Sequence, residues 1–213
     1  MTIKIHNIKY YVLAGIIIFL ILITGVIICI IIPRGKPVEI LNSDMLFSVV
    51  QDGDIICRLG DRFWSQLFKD VSVTDRRFSH MGIVRVMDSK IIVIHAEGDT
   101  GHGRDFVNEI GFDEFLKIAR AVGIYRIKET DGSIISNLAV NYLGIPFDWQ
   151  FDMYDETKLY CTELLSVILK QAHADFELDT IYVKELGKNI IPLDAISNSQ
   201  HFTEIYFISS ADR

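Results

Sequence analysis

The most regular hydrophobic pattern in the chain is an unbroken apolar stretch near its beginning. Residues Tyr10 to Ile32 form 23 consecutive positions without a charged side chain. At about 1.5 Å per residue, a helix of this length extends roughly 34 Å, and the hydrocarbon core of a bilayer is ~30 Å thick. The run is longer than the apolar part of a secretion signal, and no A-x-A-like cleavage site follows it. The pattern therefore predicts one uncleaved transmembrane helix over 10–32.

Beyond this stretch, the apolar pattern switches between the period of strands and that of helices. Apolar residues three and four positions apart predict helices, and short runs of β-branched residues predict strands. The predicted strands are 53–59, 80–86, 90–96, 123–127 and 202–209, and the predicted helices are 62–71, 112–122, 132–144 and 161–174. Only three residues separate 80–86 from 90–96, which indicates a hairpin.

The order of these elements predicts the fold class and the domain organisation. The predicted strands are joined by hairpins rather than by strand–helix–strand units, which favours an α+β fold with an antiparallel sheet packed by helices. Two prolines and a glycine after the apolar run indicate a linker. We therefore predict an N-terminal flank at 1–9, a transmembrane anchor at 10–32, a linker at 33–44 and one domain at 45–213.

The charge of the chain is unevenly distributed. Residues 1–36 contain four of the 21 Lys/Arg and none of the 28 Asp/Glu, so residues 37–213 carry 17 basic and 28 acidic side chains, a net charge of −11. A domain this acidic repels nucleic acid and anionic lipid headgroups, so nucleic-acid binding is excluded. The basic residues that flank the apolar run are almost balanced, with a small excess that favours a cytoplasmic N-terminus and an extracytoplasmic domain.

Only two of the three cysteines lie in the predicted domain. Cys29 is in the apolar run, and the chain has no C-x-x-C pair and no disulfide framework. Cys57, inside the apolar run DIICRL, is typical of an inert buried thiol. Cys161 stands at the first position of a predicted helix, where the free N–H groups and the helix dipole favour a thiolate. The residues alone leave open whether Cys161 is a nucleophile or a small core residue.

A cysteine nucleophile needs an imidazole to accept its proton and a third group to orient that imidazole. His80 begins the first strand of the predicted hairpin, and His95 is near the end of the second. Antiparallel pairing brings such positions to the same rim of a sheet, so we expect the two rings to approach each other. The spacing equally fits two strand-end histidines in contact with water. The remaining histidines are less suitably placed: His6, His102, His173 and His201.

A second arrangement competes for some of these side chains. The stretch HAEGDTGHGRD contains residue types that bind zinc or calcium: His95, Glu97, Asp99, His102 and Asp105. No pair has the H-x-x-x-H spacing of a helical zinc site, and the stretch does not match a calcium loop. A solvated turn is favoured, so we predict no metal and no cofactor.

Six segments in order resemble one known family: GDIICRLG, FSHMGIV, IIVIHAEGD, YLGIPFDWQFD, KLYCTELL and IIPLDAI. Over residues 50–210 the chain is similar to YiiX/YaeF-like proteins, which are circularly permuted, papain-like thiol hydrolases of the NlpC superfamily. The most specific parts are SHMGIV and the block from GIPFD to YCTEL. The resemblance implies a permuted papain-like (NlpC-type) fold in which the catalytic histidine precedes the cysteine in sequence.

The resemblance also implies roles for individual residues. By position, Cys161 is the nucleophile, His80 the base and His95 the group that orients the base. YiiX-type relatives often carry glutamate at the third position, whereas the lecithin retinol acyltransferase-like branch carries histidine. A neutral histidine stabilises the imidazolium of the base less than a carboxylate would. Glu97 would face the same side of its strand as His95 and is an alternative orienting residue. Tyr160, next to the nucleophile, is an accessory candidate.

The combined expectation is a membrane-anchored thiol hydrolase that cleaves amide or ester bonds through an acyl-thioenzyme. The expected partners are a peptide or acyl-amide substrate, such as a cell-wall peptide, and the membrane through residues 10–32. The acidic domain favours an amidase over an enzyme of anionic phospholipids. Two alternatives stay open: an anchored binding module without catalysis, and a lipid acyl hydrolase or acyltransferase.

Overall fold

The computed structural model describes residues 15–25, 43–61, 63–88, 90–98, 105–128 and 130–210. Residues 15–25 are helical and exposed (α1) and lie inside the predicted span 10–32. No helix within these described ranges is long and apolar enough to cross a membrane. The two ends of the predicted span, the flank 1–9 and most of the linker 33–44 lie outside the described residues.

Helices and strands are intermixed in the rest of the described chain. The helices are α2 (Ser43–Val49), α3 (Phe63–Val71), α4 (Phe112–Leu116), α5 (Gly132–Val140), α6 (Cys161–Ala172) and α7 (Ala195–Asn198). The strands are β1 (Ile55–Leu59), β2 (His80–Met87), β3 (Lys90–Glu97), β4 (Phe106–Gly111), β5 (Ala121–Ile127), β6 (Ile181–Val183), β7 (Lys188–Ile190) and β8 (Phe202–Ser209).

Six strands form one antiparallel sheet in the order β4-β3-β2-β1-β5-β8. The central strand β1 is buried along its whole length, which explains its continuous apolar run. β6 and β7 form a separate two-stranded sheet. The α+β class and the hairpin between β2 and β3 are therefore confirmed.

Each face of the large sheet has its own core, because successive side chains of a strand point to opposite faces. One core joins Ile55 and Cys57 of β1 to the apolar sides of α5 and α6. The other joins Ile56 to α2 and α4, with Phe112 and Phe115 among its fully buried side chains. The sheet is thus a central layer between two groups of helices.

Several helix boundaries differ from the sequence prediction. The helices predicted at 132–144 and 161–174 end at Val140 and Ala172. The helix predicted at 112–122 is only Phe112–Leu116, because Ala121 and Val122 already pair with β1. Pairing in the buried sheet outweighs the helical spacing of that segment, as tertiary context commonly does. α2 begins inside the predicted linker 33–44. Strands β4, β6 and β7 were not predicted from the sequence.

Candidate active site

Three of the predicted site residues, His80, His95 and Glu97, gather at the rim of the sheet where β1 and β3 end and β2 begins. Arg58, near the end of β1, is the partner of His80, the first residue of β2. His95 and Glu97 belong to the last three residues of β3. Helix α6 begins at Cys161 and packs against β2 and β3. Antiparallel pairing therefore places at one rim residues that are far apart in sequence.

The two histidines of the hairpin are hydrogen-bonded to each other. His80 Nε2 lies 2.8 Å from His95 Nδ1, with the ring planes at 73°. His95 is fully buried, whereas His80 keeps partial exposure. Gly82 makes the approach possible, because a Cβ on Gly82 would lie 3.1 Å from the Cβ of His95. The hairpin thus brings the two rings together, as its spacing predicted.

The ring of Phe115 is a common support for this rim. Phe115 is fully buried on α4, with its centroid 5.8 Å from that of His80 in a stacked arrangement and 5.6 Å from that of His95, edge to face. The guanidinium of Arg58 lies 4.2 Å from the same centroid. Side chains packed against one rigid ring have few alternative rotamers, so α4 fixes the orientation of all three.

Cys161 lies next to the histidine strand, at the start of α6. The backbone N–H groups of Met81, Thr162 and Cys161 itself act on its sulfur and lower its pKa. Met81 directly follows His80, so the sulfur lies beside the strand that carries the predicted base. Burial acts in the opposite direction and is the larger effect, raising the pKa of Cys161 to about 11. The thiolate that we expected from the helix start is therefore not the resting form at neutral pH.

The environment of His80 also favours its uncharged form. Burial is the largest cause, and the positive charge of Arg58 and the neighbouring His95 act in the same direction, so the pKa of His80 is well below its ordinary value. At neutral pH the site accordingly holds a thiol and a neutral imidazole rather than a thiolate–imidazolium pair. A neutral imidazole is the form that can accept a proton.

Sequence reasoning missed Arg58, the buried cation of the site. Its Nη1 donates to the carbonyl oxygen of Phe115 at 2.7 Å, and its Nη2 donates to Glu97 Oε1 at 2.6 Å. Glu97, an alternative orienting residue in the sequence prediction, thus makes its shortest contact with Arg58, and its Oε2 is 3.8 Å from His95 Nδ1. The available signal was an arginine in the apolar strand IICRL, since a buried arginine needs a carboxylate partner.

Tyr160 is buried rather than directed into an open cleft. Its hydroxyl accepts a hydrogen bond from the backbone N–H of Ile191 at 3.0 Å, and its ring packs against Phe151. The N–H of Tyr160 donates to the carboxylate of Glu163, which lies in the first turn of α6. These contacts hold the start of α6, and with it Cys161, in place. The accessory role of Tyr160 stays a prediction.

The other candidates lie away from this group or outside the described residues. Asp99 and His102 are outside them, so the turn predicted there has no structural description. Cys57 is buried on the face that packs against α5 and α6, and burial raises the pKa of its thiol well above the usual value. His173 contacts Thr130 at the end of α6. Among the described residues, the side chains that could bind a metal together are His80, His95 and Glu97. Asp105 does not belong to this group.

Comparison with known proteins identifies relatives of the chain. A family model described as permuted papain-like amidase enzyme, YaeF/YiiX, C92 family, matches residues 49–210. The crystal structure titled metalloprotein yiiX from Escherichia coli O157:H7 has a TM-score of 0.62 and 17% sequence identity, and the similarity covers 74% of this chain and 97% of that one. At this identity the likeness shows the fold alone. No curated protein matches the chain.

Proposed function

The chain belongs to the permuted papain-like amidases of the YaeF/YiiX type, the C92 family, and on that premise we propose that Cys161, His80 and His95 are its catalytic residues. The family makes the protein a cysteine hydrolase of the amidase or peptidase type. The proposal adds that it cleaves amide bonds of peptide or acyl-amide substrates and is anchored in a membrane by residues 10–32.

The observation that carries the proposal is the hydrogen bond between His80 and His95 beside the start of α6. His80 Nε2 and His95 Nδ1 lie 2.8 Å apart at a partly buried rim of the sheet. The residue after His80, Met81, provides a backbone N–H that acts on the sulfur of Cys161. A nucleophile, a base and a group that orients the base are the parts that thiol catalysis needs. Two strand-end histidines with no shared task would face water, whereas His95 is fully buried.

The mechanism requires one arrangement of protons on the two rings. If His80 carries its proton on Nε2 and donates it to His95 Nδ1, the other nitrogen of His80 has a free lone pair for the thiol. His95 then carries its own proton on Nε2. With the opposite arrangement, His95 Nδ1 donates to His80 Nε2 and His80 Nδ1 carries the proton, so the base cannot accept one.

The reaction starts from the neutral pair. His80 takes the proton of the Cys161 thiol as the sulfur attacks the substrate carbonyl carbon, and the carbonyl π electrons move to oxygen. N–H groups at the start of α6 stabilise the oxyanion. The tetrahedral species collapses to a thioester, and His80 gives its proton to the leaving amine. Water then attacks the thioester, transferring a proton to His80, and the thiol reforms as the acid leaves.

The proposed substrate class follows from charge. The net charge of −11 on residues 37–213 disfavours anionic phospholipids. Peptide and acyl amides without strong negative charge meet no such repulsion. An ester or lipid substrate is the alternative, and the test below distinguishes the two.

Acylation of Cys161 can be tested directly by mass. The full chain, purified in detergent, is incubated with p-nitrophenyl acetate, p-nitrophenyl octanoate and acyl p-nitroanilides of the same two acids, and intact and peptide masses are recorded. We expect one acyl group on Cys161, with no adduct on Cys161→Ser and a strongly reduced rate in His80→Asn. Cys57→Ser is the matched control and should be acylated like the wild type.

Three outcomes decide between the proposals. Acylation by anilides as well as esters supports an amidase. Acylation only by the octanoyl ester supports the lipid acyl alternative. If no probe acylates wild-type Cys161, and the thiol titrates as an ordinary isolated cysteine, the non-catalytic binding module replaces the enzyme proposal.

The yiiX protein is described as a metalloprotein, which raises the question of a metal in this chain. The donor atoms of His80, His95 and Glu97 lie within 4.8 Å of one another. The group does not fit a resident dication, because Glu97 is already neutralised by the buried guanidinium of Arg58 at 2.6 Å, and a metal would add positive charge beside it. No step of the mechanism is assigned to a metal.

A further inference from the structure

Arg58 is a buried cation at the active-site rim that the proposed mechanism leaves without a role. Only 3% of its surface is exposed, and it is the strand partner of His80. It reaches Glu97 with one end nitrogen and the carbonyl of Phe115 with the other. Removing a charge from water this completely is costly, and the ion pair with Glu97 and the hydrogen bond to Phe115 offset that cost.

The partner, Glu97, lies where its carboxylate could disturb the hydrogen bond that orients the proposed base. Its Oε2 lies 3.8 Å from His95 Nδ1, the atom that must act as a hydrogen-bond acceptor for His80. A free carboxylate at that position attracts a proton to Nδ1, since a charged acceptor stabilises an N–H donor. A proton on His95 Nδ1 forces His80 into the tautomer that cannot take a proton from the thiol.

We propose that Arg58 is a positioning residue that neutralises Glu97 and so keeps His95 Nδ1 an acceptor for His80. The guanidinium holds Oε1 of Glu97 at 2.6 Å, while the carbonyl and ring of Phe115 hold the guanidinium. Arg58 thereby selects the tautomer of His95 through the carboxylate of Glu97. The proposal rests on the function proposed above, and it concerns the same site.

The charged and titratable groups that face His80 come from two strands. They are Arg58 of β1 and His95 and Glu97 of β3. Cys161 of α6 is acted on by Glu97. Asp61, which follows β1, acts on Arg58, as does Cys161. The acidic residues of α4, Asp113 and Glu114, are exposed. Arg58 is therefore the one cation among these described groups, and its removal leaves the partly exposed carboxylate of Glu97 without this ion pair.

The first test is the pH dependence of kcat/KM for p-nitrophenyl acetate, measured on the full chain in detergent. In Arg58→Met we expect the plateau to fall about tenfold to a hundredfold, because general-base catalysis is typically worth 10²–10⁴ and part of it is lost. The acidic limb should also move to higher pH, because a cation that lowers the pKa of His80 is gone. In Glu97→Gln the limb should move to lower pH.

The double variant Arg58→Met with Glu97→Gln distinguishes positioning from simple stabilisation. It removes the cation together with the competing carboxylate, so its plateau should recover most of the loss caused by Arg58→Met alone. Arg85→Met, which alters an arginine at the other end of β2, is the matched control and should leave the profile in place. If Arg58→Met alone does not fold, the comparison is made among Arg58→Lys, Glu97→Gln and the double variant. Arg58→Lys should keep the acidic limb of the pH profile near that of the wild type.

A second measurement reads the tautomer itself and needs no turnover. Imidazole ¹⁵N chemical shifts of the ¹⁵N-histidine-labelled chain, assigned with His80→Asn and His95→Asn, should show His80 protonated on Nε2 in the wild type. In Arg58→Met the proton of His95 should move to Nδ1, and in the double variant it should return to Nε2.

The inference is overturned if Arg58→Met keeps the wild-type limb and plateau, if the double variant is no more active than Arg58→Met, or if the tautomers are the same in all variants. A lower melting temperature with an unchanged pH profile would mean a structural ion pair only. If no variant, wild type included, turns over the ester, the proposed function fails, and the ¹⁵N shifts still decide the role of Arg58.

Discussion

At the scale of single residues, burial decides the protonation of the site more than local charge does. Two backbone N–H groups at the start of α6 and that of Met81 on β2 lower the pKa of Cys161, yet burial has the larger effect and raises it to about 11. The same effect lowers the pKa of His80. Both groups are uncharged at rest, so in the proposed mechanism the proton moves from sulfur to imidazole only as the substrate is attacked. The resting site resembles a serine hydrolase in this respect more than a thiolate enzyme.

Glu163 is a second buried titratable group close to the nucleophile. It is 3% exposed, and burial, followed by the charges of Asp148, Asp152 and Asp155, raises its pKa from 4.5 to about 8. Its N–H partner Tyr160 lowers the pKa only in part. Between pH 4.5 and 8 the folded protein keeps a proton that the unfolded chain has lost. The contribution of Glu163 to stability is therefore complete below pH 4.5 and is lost as the pH rises toward 8.

We therefore expect Glu163→Gln to flatten the pH dependence of stability. The free energy of unfolding from urea titrations should fall for the wild type between pH 5 and 8, by at most about 1.4 kcal/mol per pH unit from this group, and should fall less for the variant. Glu177→Gln, which alters an exposed glutamate, is the control and should follow the wild type. Parallel curves for wild type and Glu163→Gln would show that Glu163 is charged in the folded protein throughout.

At the scale of elements, the β2–β3 hairpin does most of the positioning. It carries both histidines and Glu97, and its register places Gly82 beside His95. The absence of a side chain at Gly82 leaves the space into which His95 and Val93 extend. Helix α4 closes the other side through Phe115. The geometry of the histidine pair is thus a property of the hairpin and of the helix packed on it.

Gly82→Ala should disturb this geometry more than it disturbs the fold. The new Cβ would lie 3.0 Å from the carbonyl oxygen of Ile94 and 3.1 Å from the Cβ of His95, and such overpacking costs about 1–3 kcal/mol. We expect a lower melting temperature, together with a loss of acylation rate by p-nitrophenyl acetate of about tenfold or more, because the His80–His95 hydrogen bond is displaced.

Gly111→Ala provides the matched comparison, since Gly111 ends β4 and a Cβ there has nothing within 4 Å. This variant should keep both its melting temperature and its acylation rate. An acylation rate in Gly82→Ala equal to that of the wild type would mean that the histidine pair tolerates displacement and is not the base system.

At the scale of the whole molecule, two parts of opposite character are joined. Residues 10–32 are apolar throughout, and residues 37–213 carry a net charge of −11. We expect the full chain to stay with membranes after alkaline carbonate extraction, and a variant lacking residues 10–32 to be released, because about 23 apolar residues suffice for a span. Release of the full chain under the same conditions would rule out the anchor, and retention of the shortened chain would assign membrane binding to the domain.

Much of the fold was predictable because the alternation of side chains and the hairpin are local signals. The segments 80–86 and 90–96 are each close to the observed strands β2 and β3. The helix predicted at 112–122 is correct only over Phe112–Leu116, because the helical spacing of its second half competes with pairing between residues 121–122 and β1, which are distant in sequence. The strands β6 and β7, three residues each, have too few positions for a period to be recognised.

The sequence by itself determined which side chains are available for chemistry: a cysteine at a helix start and two histidines at matching ends of a hairpin. Covalent order and periodicity suffice for that, because both are local. Only the tertiary structure decided that Arg58 pairs with Glu97, that His95 rather than Glu97 contacts His80, and that Cys161 rests as a thiol. These properties depend on burial and on distances between strands, which arise only when separate segments pack against one another.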